Sequence, residues 1–139
     1  MRYIAVILIL GLLLTMSCGL KRSNPLDPIG NPDIKVPQTV SKVECTPSPV
    51  GASSKFVNIT WDLNSPQNTE GYYIYRGLAF YSAYAVVDTV FTNTCTHGSK
   101  PWHSVSPGDY YYKVSAFKTY SGDRLEGRSG HPTFVRVPV

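Results

Sequence analysis

Cysteine and histidine, which close disulfides, ligate zinc and serve as nucleophile or base, are few in this chain, three of each in 139 residues. His97, His103 and His131 stand far apart, and no HExxH, paired-cysteine zinc pattern, calcium loop or Walker loop accompanies them. Exposed loop positions are expected for all three, with no metal site and no cofactor. GRSGH at 127–131 lacks the second-glycine spacing of a nucleophile elbow. Without a nucleophile, a base and an orienting partner placed together, no catalytic residues are expected, and the chain does not read as an enzyme. Cys45 and Cys95 leave two readings open, a disulfide in an exported domain or two thiols packed as small hydrophobes. What the chain has in quantity is aromatic surface, with 10 Tyr, 5 Phe and 2 Trp. Tyrosines cluster at 72–75 and 110–112, and their chemistry is stacking and hydrogen bonding rather than bond breaking.

Such rings act only where the backbone holds them. Hydrophobic residues make up 42% of the chain against 16% charged, and 11 Gly with 11 Pro describe a globular, turn-rich protein. The net charge of +4 is scattered, with no basic run longer than Lys21-Arg22, which argues against a nucleic-acid partner. After Pro37, apolar residues recur at every second position in short stretches separated by Gly, Pro, Asn and Ser, and none has the 3.6-residue period of a helix. Val43 and Cys45 alternate in a first strand, and FVNITW, GYYIYRG, AYAVVDTV and TNTCTH follow. YYYKVSAF and TFVRVPV complete the set. The pattern predicts an all-β domain over 38–139, a seven-stranded sandwich of two sheets.

The N-terminus has a different character. Met1 to Tyr3 form a short positive region, Ile4 to Leu14 an apolar run, and Thr15-Met16-Ser17 a small-residue exit before Cys18. The run is shorter than the roughly 20 apolar residues a bilayer span requires, so 1–17 is read as a signal peptide. Cys18 resembles the acylated cysteine of bacterial lipoproteins, whose signal is removed just ahead of a lipid-bearing Cys. Thr15 and Ser17 also satisfy the small-x-small rule of ordinary signal peptidase, which cuts the same bond. Lipidation would make the membrane a partner through the anchor, since each buried CH₂ contributes about 0.8 kcal/mol. Residues 18–37 then form a spacer with Pro25, Pro28, Pro32 and Pro37. Extended at about 3.1 Å per residue, it would reach on the order of 50 to 60 Å. Within it, NPLDP at 24–28 resembles a sequence found after the acylated Cys of envelope lipoproteins. Gly19 stands where an Asp retains some lipoproteins in the inner membrane, so the resemblance implies the bacterial outer membrane.

Spread along the domain, V-N-I-T-W at 57–61, G-Y-Y-I-Y-R at 71–76, P-G-D-Y-Y-Y-K-V-S-A at 107–116 and E-G-R-S at 126–129 together resemble a fibronectin type III module. They match its strand B with a buried Trp, its strand C, its E-F corner with strand F, and the end of its F-G loop. The resemblance implies a core of Trp61, Tyr72, Ile74, Tyr110, Tyr112, Val114 and Ala116, with Val57 and Ile59 facing them. It also implies that Tyr110 is a corner residue bonded to backbone upstream. Strands A and E would flank strand B, which sets Cys45 and Cys95 about two strand spacings, near 10 Å, apart. That exceeds the roughly 7 Å limit of a disulfide and favours two buried thiols.

The same register leaves Tyr73, Tyr75, Tyr111 and Phe117 pointing outward on the neighbouring strands C and F. Together they form a candidate binding face for an unknown protein partner or a glycan. Cross-strand aromatic pairs also stabilise a sheet that binds nothing, so a spacer or assembly subunit of an envelope complex stands beside those two readings. The F-G loop has Gly122-Asp123-Arg124, the wrong order for an integrin-binding Arg-Gly-Asp.

Overall fold

The computed structural model describes residues 24–98 and 104–139; the segment 1–17, Cys18 and His103 lie outside the described residues. Among the described residues eight strands occur: β1 Glu44–Pro47, β2 Val57–Thr60, β3 Gly71–Gly77, β4 Ala85–Val90, β5 Thr94–His97, β6 Gly108–Tyr120, β7 Asp123–Glu126 and β8 Thr133–Val137. β1, β2 and β5 form one sheet in that order; β4, β3, β6 and β7 form the other, with β8 also on β6. All pairs are antiparallel.

The two sheets pack face to face because β2, β5, β8 and the first half of β6 alternate buried with more exposed residues. Val57, Ile59 and Cys95 from the smaller sheet meet Tyr72, Ile74, Tyr110, Tyr112, Val114 and Ala116 from the larger one in a single buried core. Trp61 closes it at one end, with its ring 5.1 Å from that of Tyr72 in an edge-on arrangement. Each such apolar side chain contributes roughly 1.5 to 3 kcal/mol on burial. The Tyr110 hydroxyl donates to the Ser106 carbonyl at 3.1 Å, locking the corner that leads into β6. Cys45 and Cys95 both pair with Ile59, from opposite sides of β2, and neither is in a disulfide. Burial pushes the Cys45 thiol up to about 12.

Three features depart from the sequence-based expectations. The described residues form eight strands rather than seven, because β6 runs to Tyr120 and turns back through Ser121 and Gly122, whose φ values are 52° and 93°. Two consecutive positive φ angles are the signature of the tight hairpin turn that matches strand twist. Asp123 and Arg124 therefore belong to β7 and not to a loop. His97 is buried at 2% exposure, with Nδ1 2.7 Å from the Tyr112 hydroxyl, because it faces inward at the end of β5. His131 is exposed as expected.

The third departure concerns the spacer, whose described part is not extended. Asn24 and Asp27 side chains accept from the amides of Leu26 and Ile29, and the Asn31 amide donates to the Asp27 carbonyl at 2.9 Å. Asn and Asp close such turns readily, and proline presets their φ. Ile34 and Pro37 are then buried on the domain. The Tyr120 hydroxyl bridges the Lys35 carbonyl at 3.0 Å and the Lys35 amide at 3.1 Å, and Asn68 Nδ2 donates to the Val36 carbonyl at 2.9 Å. Gly127 and Gly130 allow this segment to pass so closely that a Cβ at either would strike the Pro37 or Val40 carbonyl.

Candidate functional site

The outer face of the larger sheet holds the candidate tyrosines, and the register of β3 on β6 sets them in rows: Gly71 opposite Phe117, Tyr73 opposite Ser115, Tyr75 opposite Lys113 and Gly77 opposite Tyr111. All four candidates do point to this face, yet they do not form one exposed patch. Phe117 is 0% exposed. Its ring sits 4.7 Å from Tyr73 and 6.0 Å from Phe91, and the Arg124 guanidinium lies over it at 4.4 Å. Gly71 beneath it has no side chain to hold it off; a Cβ there would come within 2.6 Å of the ring.

Tyr73 and Tyr75 belong to the same covered end. Arg124 Nη1 donates to the Tyr73 hydroxyl at 3.2 Å. Tyr75 and Ser115 both donate to Glu126 Oε1 at 2.5 Å. Burial, and then the bond to Glu126, push the Tyr75 hydroxyl up to about 12. Rings, hydroxyls and charges here answer one another, which leaves little for an outside ligand to replace.

The opposite end of the face is open. Tyr111 lies 5.3 Å from Phe134 on β8 and 6.0 Å from Phe80 in the β3–β4 loop, and Phe80 lies 4.8 Å from Tyr81. Phe134 is 48%, Phe80 42% and Tyr81 95% exposed. The loop owes its shape to Ser82 and Tyr84: the Ser82 hydroxyl donates to the Ala79 carbonyl at 2.8 Å, and the Tyr84 hydroxyl to the Phe80 carbonyl at 3.0 Å.

Facing this loop is the connection between β7 and β8. Gly127 and Gly130 keep their amide bonds to β6, to the carbonyls of Ala116 at 2.8 Å and Val114 at 3.0 Å, while Arg128 is exposed. Between the two loops lies a cleft of about 520 Å³. Lys113 of β6 forms its floor, with Nζ 4.3 Å from the Tyr84 ring centroid and 5.5 Å from that of Tyr75. Arg128 and His131 line the wall opposite Phe80 and Tyr81. The lining contains no Asp or Glu, and among the described residues no carboxylate pairs with Lys113, Arg128 or His131.

The sequence-based reading found Tyr111 but missed Phe80, Tyr81, Lys113, Arg128 and His131 as neighbours. The run Leu78 to Tyr81 after Gly77 carries a signal, two aromatics in a segment with no alternation to bury them. Nothing in the sequence says that this loop faces residues 128–131. Among the described residues there is no cluster of three metal-binding side chains and no helix long and apolar enough to cross a membrane. No family model and no curated protein matches the chain.

Proposed function

We propose that the protein is a bacterial envelope lipoprotein, held by Cys18 after removal of residues 1–17, that presents one fibronectin type III-like module for binding rather than catalysis. The outer membrane is its proposed location. The flanking of β2 by β1 and β5, the pairing of β3 with β6 and the Tyr110 to Ser106 bond support the resemblance on which this rests. The observation that carries the binding role is the open end of the sheet's outer face, where the exposed Phe80 and Tyr81, the Lys113 and Arg128 cations without a carboxylate partner among the described residues, and His131 surround a cleft. A merely structural sheet face would have its rings covered, as at the Phe117 end.

A compact, docked spacer keeps the module closer to its anchor than an extended tether would, which suits a partner in the same envelope layer. Two measurements test the proposal. A palmitate analogue should label the wild-type chain and not Cys18→Ser; absence of label removes the anchor. A photo-crosslinking amino acid at Tyr81 should capture an envelope component in intact cells, and one at Asn58 on the smaller sheet should not. Equal capture from both positions, or none, refutes the binding role.

A further inference from the structure

We infer that the cleft between the β3–β4 loop and the β7–β8 connection binds an acidic saccharide, a sugar ring bearing a carboxylate; this rests on the binding role proposed above and names its ligand. Three properties point to that chemistry. The first is charge: Lys113 and Arg128, with the His131 ring as a further hydrogen-bonding group, line a space with no acidic residue in its lining. Arg124 at the other end of the same face lies over Phe117 and donates to Tyr73, whereas Lys113 and Arg128 have no carboxylate partner among the described residues. A planar guanidinium takes a carboxylate through two parallel bonds, and an ammonium adds a point charge.

The second property is the aromatic wall. Tyr81 is 95% exposed with Phe80 braced against it at 4.8 Å, which leaves the Tyr81 ring free to stack. A flat apolar ring face beside hydroxyl groups suits a pyranose, which shows C–H bonds on one face and hydroxyls around its rim. The Thr39 and Ser129 side chains in the lining supply such polar partners.

The third is size and shape. A volume of about 520 Å³ lies within the roughly 300 to 1,000 Å³ of small-molecule sites. A protein partner would favour a flatter surface with an apolar centre. An acidic peptide would satisfy the cations, but it would leave the exposed Tyr81 face without a stacking partner.

The test titrates the full-length protein in detergent micelles with oligogalacturonate, with a neutral oligosaccharide of equal length and with oligoglutamate of equal charge. Oligogalacturonate is expected to bind and the neutral sugar to bind at least about tenfold more weakly. A Lys113→Gln/Arg128→Gln variant should lose about tenfold or more in affinity for the uronate. Tyr81→Ala should weaken uronate binding without changing the near-ultraviolet circular dichroism that reports a folded core. Arg124→Gln, at the covered end, should bind as the wild type does. No uronate binding, or equal binding of the neutral sugar, overturns the inference. Oligoglutamate binding as tightly as the uronate, with no effect of Tyr81→Ala, replaces the saccharide by an acidic peptide. If crosslinks form at position 81 in cells while every saccharide fails to bind, the inference falls and the binding role stands; if neither occurs, both fall.

Discussion

The two ends of the larger sheet's outer face use the same residue types to opposite effect. At one end Phe117, Tyr73 and Tyr75 are stacked, covered by Arg124 and tied to Glu126. At the other, Tyr111 joins Phe134, Phe80 and Tyr81 in a chain of rings of which Tyr81, in the β3–β4 loop, is the most exposed, beside a cleft lined by Lys113 and Arg128. An aromatic side chain that faces away from the core is therefore not by itself a binding residue. What distinguishes the ends is whether neighbouring strands bring groups that satisfy it. The β6–β7 hairpin does so for Phe117, and among the described residues nothing equivalent reaches Tyr81.

The strongest way to break this comparison is to empty the covered end. Phe117→Ala should cost about 3 to 5 kcal/mol, as a buried core phenylalanine does, measured by urea denaturation. A loss near zero would mean that the ring is a surface group like Tyr81. Gly71→Ala drives a methyl group into the same ring and should cost about 1 to 3 kcal/mol through overpacking. The Tyr110 corner belongs to the frame that carries both ends. Tyr110→Phe removes the bond to Ser106 and should cost about 1 kcal/mol; an unchanged denaturation midpoint would leave the corner without a structural role.

Tyr75 at the border sharpens the contrast through pH. Its hydroxyl is held up to about 12, against about 10 for a tyrosine in an unfolded chain. The folded state keeps that proton longer, so its stabilising contribution is complete below about pH 10 and is lost as pH rises through about 12. Stability should fall less steeply over that interval in Tyr75→Phe than in the wild type, and parallel curves would show that neither burial nor the bond to Glu126 holds the proton there. The smallest effect is expected at the open end, where Tyr81→Ala should change stability by no more than about 0.5 kcal/mol.

Much of the fold was legible because a strand's two faces follow from a local rule. In GDYYYKVSAF the alternation alone separates Tyr110, Tyr112, Val114 and Ala116 from Tyr111, Lys113 and Phe117, and the structure buries the first group in the core. The missed hairpin was also local, a Ser-Gly pair whose positive φ angles reverse the chain. His97 was harder to place: an imidazole tolerates burial only where a group such as the Tyr112 hydroxyl meets it, and that group comes from another strand.

The sequence by itself determined that the domain is built of strands, which side chains point inward, and that the outward ones include several rings. Only the tertiary structure decided which of those rings remain accessible. Phe117 is buried by Gly71, Phe91 and Arg124, and the cleft is made by residues 80–84 facing 128–132. The physical reason is the range of the two effects. The side a residue faces is set by the backbone dihedrals of its own strand, whereas its exposure is set by whatever distant segments pack above it.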